Sequence, residues 1–215
     1  MQIAILLYDR FTALDAIGPY EVLSRLSGAE LIFTAERPGP VRTDSGMLAV
    51  TADAALGDVP HPDIVLVPGG PGNEAQMDDG PVHEWLRAAD KVSSWTTSVC
   101  TGSLILAAAG LLAGRRATTH WLALGRLEDL GAHATEERVV IDGKYVTAAG
   151  VSAGIDMALD LSGRIAGAAK AQAIQLMIEY DPRPPYTAGS PRSAPPDLVA
   201  RMRMRSRHAE QAETG

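Results

Sequence analysis

Residues 94–112 read SWTTSVCTGSLILAAAGLL, and their character changes abruptly at Cys100. Before it, Trp95, Thr96, Thr97 and Val99 are the aromatic and β-branched types that suit a pleated strand. After it, residues 101–112 are rich in Ala and Leu, suit a helix, and are closed by Gly114. Cys100 therefore falls on a strand-to-helix turn. Its neighbours two positions away, Ser98 and Gly102, are both small, as so sharp a turn demands. A thiol at a helix N-terminus faces unpaired backbone N–H groups and the positive end of the helix dipole. Both favour the reactive thiolate.

The same alternation extends outward from this stretch. Residues 2–8 are apolar on both faces, as in a buried parallel strand. A helix is predicted from about Pro19, because Tyr20, Val22, Leu23 and Leu26 recur on one face and Pro is tolerated in a first turn. Strands are predicted at 31–35 and 63–67 (DIVLV), the latter ended by Pro68-Gly69-Gly70, with a further polar-to-apolar stretch at 47–50. Helices are predicted over 81–92, 152–165 and 168–180, with one more ending near Gly131. Residues 136–141 and 144–148 read as a hairpin across Asp142-Gly143. Strands and helices in this order define an α/β sandwich whose mostly parallel sheet carries helices on both faces. The expected division is a single domain over 1–181, then a Pro-rich strap and basic tail over 182–215. Six prolines between Pro182 and Pro196 keep the strap extended.

The chain has 215 residues, a net charge of −7 and one cysteine. One cysteine excludes an internal disulfide and a thiolate zinc site. No apolar run approaches the eighteen or so residues of a spanning helix, and the opening MQIAILLYDR lacks a charged n-region. A cytoplasmic protein with no membrane partner is expected. The tail carries six arginines, among them Arg201, Arg203, Arg205 and Arg207, against Asp197, Glu210 and Glu213. Its balance of +3 leaves −10 on the rest, so nucleic acid is not expected as a partner.

In such folds ligands lie beyond the carboxyl ends of the strands. There the backbone N–H groups of Gly69, Gly70 and Thr101 could form an anion hole beside Cys100. For an acid or base the candidates are Asp15, Glu21 and His120. Asp15 is flanked by Leu14, Ala16 and Ile17, and a poorly solvated carboxyl has a raised pKa suited to proton transfer near neutrality. The competing reading makes Asp15 a helix N-cap. His120 could line the pocket or be a satisfied structural histidine, and Tyr20, Trp121 and Leu122 are candidates for its walls. No pairing of His with His or Glu suggests a metal. Gly70, Gly72 and Ala75 fit a dinucleotide pattern only weakly, since Pro71 removes a donor in mid-loop.

Residues 11–22 (FTALDAIGPYEV), 67–70 (VPGG), 98–103 (SVCTGS) and 117–121 (ATTHW) together resemble the ThiJ/PfpI superfamily, and within it the isonitrile hydratase branch. The likeness runs from the first strand to about Tyr180. It implies a flavodoxin-like α/β sandwich, a homodimer, and a cofactor-independent enzyme that adds water to an isonitrile to give an N-substituted formamide. Carried over by motif, Cys100 would be the nucleophile and Asp15 the acid/base, with Thr101 beside the thiol and Gly69, Gly70 and His120 around the substrate. A glyoxalase- or deglycase-like activity on reactive carbonyls and a non-catalytic cysteine sensor are the alternatives. Protease-like and glyoxalase-like members carry His directly after the cysteine, where this chain has Thr101. Amidotransferases of similar fold use a late His-x-Glu, where this chain has Ala149-Gly150-Val151-Ser152.

Overall fold

The structure is a computed structural model that describes residues 1–213, with side chains described as far as Ser206. The strands are β1 (Gln2–Leu6), β2 (Glu30–Ala35), β3 (Gly39–Arg42), β4 (Ala49–Ala52), β5 (Ala54–Ala55), β6 (Ile64–Val67), β7 (Trp95–Val99), β8 (Arg116–Ala117), β9 (His133–Ala134), β10 (Val139–Asp142) and β11 (Tyr145–Ala148). The helices are α1 (Ala13–Leu23), α2 (Pro81–Asp90), α3 (Gly102–Ala108), α4 (Leu124–Asp129), α5 (Ala153–Ala166), α6 (Ala168–Met177) and α7 (Pro196–Glu213). Seven strands form one sheet in the order β10-β11-β7-β6-β1-β2-β5. Every neighbouring pair is parallel except β10 with β11. This is the expected flavodoxin-like α/β sandwich.

The apolar runs set the layers. Ile3, Ile5 and Leu6 of β1 and all four residues of β6 are buried, so both faces of the central strands are covered. Each such side chain contributes roughly 1.5–3 kcal/mol by leaving water. Helix α1 packs on α5, which lies against β7, β10 and β11, while α2 and α3 pack on β6 and β7. Gly18 brings α1 within 3.1 Å of Ile155 on α5, measured from the Cβ that an alanine would carry. At the amino ends of the strands, buried Asp90 accepts hydrogen bonds from Thr96 (2.6 Å) and the Tyr145 hydroxyl (2.9 Å). It also pairs with Lys144 at 3.1 Å, tying α2 to β7 and β11.

The structure corrects several sequence expectations. Helix α1 begins at Ala13, six residues before Pro19, which lies inside the helix. Proline there removes one N–H, the partner of the Asp15 carbonyl, and its ring is accommodated against Gly154 of α5. The hairpin pairs Asp142 with Tyr145, so its turn is Gly143-Lys144, with Gly143 at φ +62°. Helix α3 stops at Ala108 and Gly110 takes φ +82°, so the helix is shorter than its composition suggests. The stretch noted at 47–50 runs into β4, but its antiparallel partner β3 escaped the pattern, because Gly39-Pro40-Val41-Arg42 has neither strand propensity nor clear alternation.

The chain divides into Met1–Glu179, which holds the sheet, and a segment from Tyr180 onward. In that segment residues 181–195 form turns and irregular backbone, and α7 follows with Pro196 at its start and Asp197 in its first turn. Arg201, Arg203 and Arg205 are exposed on α7, while the side chains of Arg207, Glu210 and Glu213 lie outside the described residues. Among the described residues no helix is long and apolar enough to cross a membrane.

Two glycines make opposite predictions. A Cβ on Gly102 would collide with the Val67 carbonyl, whereas one on Gly125 in α4 meets nothing within 4 Å. Gly102→Ala should cost about 2–4 kcal/mol in urea unfolding. Gly125→Ala should stabilise by about 0.5–1 kcal/mol.

Candidate active site

The carboxyl ends of β1, β6, β7 and β11 are adjacent, and each delivers part of one constellation. The chain leaves β1 in one direction across the sheet and β6 in the other, so this is the switch point where open α/β sheets place their ligands. Asp15 lies in the first turn of α1, Gly69 and Gly70 follow β6, Cys100 and Thr101 follow β7, and Ala149 follows β11.

Cys100 is buried and has φ +56°, a left-handed conformation disfavoured for a residue with a Cβ. Its backbone is held from several sides. The N–H donates to the carbonyls of Ala148 (3.0 Å) and Ala149 (3.1 Å), and the carbonyl accepts the hydroxyls of Thr119 (3.0 Å) and Ser103 (3.2 Å). Glycine is required across the turn as well as within it. A Cβ on Gly69 would lie 2.7 Å from Thr101 Oγ1 and 2.9 Å from Cys100 Cβ. The loops after β6 and β7 therefore touch through their backbones, which fixes the elbow.

Asp15 is completely buried, and its Oδ2 accepts the Gly69 N–H at 2.9 Å. Its Oδ1 is buried without a close hydrogen bond, and the neighbouring side chain that acts on the carboxyl is the Cys100 thiol. Burial raises the pKa of Asp15 to about 7, against the lowering effects of the Gly69 N–H and then of the thiol. Burial raises the Cys100 thiol to about 12, and the Asp15 charge adds to this. The N–H groups of Val151 and Thr101 lower it without prevailing. The expected thiolate is thus overturned. Helix α3 has only seven residues, and desolvation together with an adjacent carboxylate outweighs its dipole. The resting proton sits on sulfur.

The structure brings together Cys100, Asp15, Thr101, Gly69 and Gly70, but uses the glycines differently from the sequence reading. Gly69 donates to Asp15, and Gly70 donates to Thr101 Oγ1 at 2.9 Å, so neither N–H stands open as an anion hole. Asp15 is not the N-cap: Thr12 holds that position, and its hydroxyl donates to Asp44. His120 packs against Gly150, where an added Cβ would lie 2.6 Å from its ring, and burial lowers its pKa so that the ring is neutral. Glu21 is outside the site, paired with Arg25 at 2.9 Å, and Tyr20 stacks on Phe33 with ring centroids 5.4 Å apart. Gly72 abuts the Asp9 carbonyl, so its need for a bare backbone is internal to the fold and not a phosphate contact.

Sequence reasoning missed three supporting groups. Tyr8 donates its buried hydroxyl to the Pro68 carbonyl at 2.9 Å. Asn73 donates Nδ2 to the Gly70 carbonyl at 2.7 Å, and Thr119 holds the Cys100 carbonyl. A polar aromatic ending the apolar run QIAILLY was the available signal for Tyr8. A cavity of about 390 Å³ is lined by Leu7, Tyr8, Ala35, Arg37 and Val82, among others, and neither Cys100 nor Asp15 is among its lining residues.

A buried carboxyl facing a thiol on a strained strand-to-helix elbow, within a parallel α/β sandwich, defines a class of cysteine-centred α/β proteins. The chain belongs to the DJ-1/PfpI family, which residues 1–163 match. It is 41% identical to the isonitrile hydratase of Pseudomonas putida over 96% of this chain and 90% of that protein. It is 37% identical to the HTH-type transcriptional regulator CdhR of Pseudomonas aeruginosa, over 60% of this chain and 38% of that one. A crystal structure of a ThiJ/PfpI family protein from Pseudomonas syringae superposes with a TM-score of 0.91 at 38% identity, covering 94% of this chain and 84% of that one.

The raised carboxyl pKa has a consequence for stability. The native state binds the Asp15 proton more tightly than the unfolded chain, so stability falls as pH rises from about 4 to about 7 and is level above. The difference is up to about 4 kcal/mol. Asp15→Asn should therefore be more stable than wild type in urea unfolding at pH 8, and no more stable at pH 4.

Proposed function

We propose that this protein is a cofactor-independent isonitrile hydratase that converts R–N≡C and water to R–NH–CHO through Cys100 and Asp15. The observation that carries this reading is the Asp15 carboxyl, buried against the thiol with Gly69 on its other oxygen. Identity to the Pseudomonas putida hydratase over nearly the whole of both chains supports it.

The protonation states suggest the order of events. The thiol holds its proton more tightly than Asp15 does, so moving that proton to Asp15 before any bond forms is uphill. Proton transfer is therefore coupled to attack. Sulfur bonds to the isonitrile carbon as Asp15 takes the thiol proton and passes it to that same carbon, giving the thioimidate Cys–S–CH=N–R. Asp15, again a carboxylate, takes a proton from water as the oxygen adds to this carbon, and the proton goes to nitrogen. Collapse of Cys–S–CH(OH)–NH–R breaks the C–S bond, and the hydroxyl proton returns through Asp15 to sulfur. The products are R–NH–CHO and the original thiol. Thr101 steadies the Gly69-Gly70 loop through Gly70, and neutral His120 stands beside Gly150 at the margin of the site.

The sensor alternative fits less well. Oxidant sensing needs an accessible, low-pKa thiol, and Cys100 is 6% exposed with its pKa raised. The glyoxalase-like alternative lacks the His after the cysteine. A homodimer belongs to the same proposal and is checked by light scattering, which should give twice the chain mass of 22.6 kDa.

Two measurements test the reading. Formamide production from an alkyl isonitrile should fall about 10³-fold or more in Cys100→Ala; equal turnover would end the proposal. Because Asp15 must be ionised to accept the thiol proton, kcat/KM should rise with pH to a plateau, with its midpoint near pH 7. A profile that falls through neutrality would contradict this assignment.

A further inference from the structure

The Pro68 carbonyl and the Gly69 N–H are the two ends of one planar peptide unit. The carbonyl accepts the Tyr8 hydroxyl at 2.9 Å, and the N–H donates to Asp15 Oδ2 at 2.9 Å. We infer that Tyr8 is a positioning residue for Asp15, acting through this single peptide by orienting its N–H and strengthening the bond the N–H makes. The inference rests on the proposed role of Asp15, but its test reads the carboxyl itself and needs no isonitrile.

The physical basis is the polarisation of hydrogen bonds in series. A donor on a carbonyl draws electron density from the amide, and the N–H at its other end becomes a better donor. In a dry site that effect is not screened by water. Tyr8 is 5% exposed and Asp15 is fully buried. The phenol is also held neutral, because burial, then Asp15, then Cys100 raise its pKa well above the ordinary value. It is thus a permanent donor across the working range. A Phe would fill the same volume, so the hydroxyl is explained by its partner and not by packing.

The other groups that face the Asp15 carboxyl are few. Cys100 approaches it from the elbow after β7, and Asp44, between β3 and β4, raises its pKa through charge while accepting the Thr12 hydroxyl. On α5, which packs against α1, Asp156 is turned to Arg138 and Asp160 to Arg164. On α1 itself Glu21 pairs with Arg25. The Gly69 N–H is therefore the strongest group that favours the ionised carboxyl, and Tyr8 is the side chain that sets its direction.

The experiment follows the carboxyl carbon resonance of Asp15 by NMR as a function of pH in wild type and two variants. In Tyr8→Phe the Asp15 midpoint should rise by about half a pH unit or more as the N–H loses polarisation and fixed direction. Replacing Tyr8 with a ring-fluorinated tyrosine, a stronger donor of nearly the same size, should lower it. Folded variants that titrate as wild type does would overturn the inference. If Tyr8→Phe does not fold, the fluorinated protein decides alone, since a purely structural role leaves its midpoint unmoved. A shifted midpoint in a protein that hydrates no isonitrile would uphold the Tyr8 role while removing the hydratase reading.

Discussion

The site depends on one costly arrangement, a carboxyl buried against a thiol with a backbone N–H on one of its oxygens. An ionised carboxylate in an apolar interior is unstable unless it is paired or hydrogen-bonded. Asp15 has the Gly69 N–H on one oxygen and the Cys100 thiol beside it, with Asp44 adding repulsion. This partial satisfaction leaves its pKa at about 7. Fuller solvation would return it to the ordinary range, where it would be too weak a base to take a proton from a thiol. Without the N–H it would be higher still and protonated at neutral pH. The value lies where one group can both accept and return a proton.

Much of the surrounding backbone is organised to hold this pair. The loops after β6 and β7 approach too closely to leave room for a Cβ at 69 or 102, so both positions require glycine. Thr101 bridges them through Gly70, and Asn73 holds the Gly70 carbonyl. Ser103, Thr119, Ala148 and Ala149 together hold Cys100 in its left-handed conformation. The parallel sheet supplies the rigid base, because β1, β6, β7 and β11 end side by side. Asp90 ties α2 to β7 and β11 at the opposite, amino ends of the strands, away from the site.

Sequence patterns revealed the scaffold and singled out the thiol and the carboxyl that the structure places side by side, because both leave local signatures. The change from SWTTSV to an Ala- and Leu-rich run located the elbow, and apolar neighbours marked Asp15 as poorly solvated. What remained hidden was tertiary. The uses of Gly69 and Gly70 depend on which side chains approach them across the sheet, and no spacing within Pro68-Gly69-Gly70 encodes that. The thiol's protonation was misread for a similar reason: a local rule about helix N-termini was outweighed by burial and by a carboxylate 85 positions away in sequence. The start of α1 was misplaced because Pro19 suggests a first turn, whereas α5 provides the room that tolerates it inside.

Above neutrality Asp15 and Cys100 hold one proton between them, and this proton rests on sulfur. Cys100 is the single cysteine, so the infrared S–H stretching band reports on it alone. The band should persist from neutral pH into the alkaline range. It should shift as Asp15 ionises near pH 7 and disappear only as pH nears about 12. Loss of the band below pH 8 would mean a resting thiolate, and would contradict the account of how Asp15 and Cys100 divide their proton.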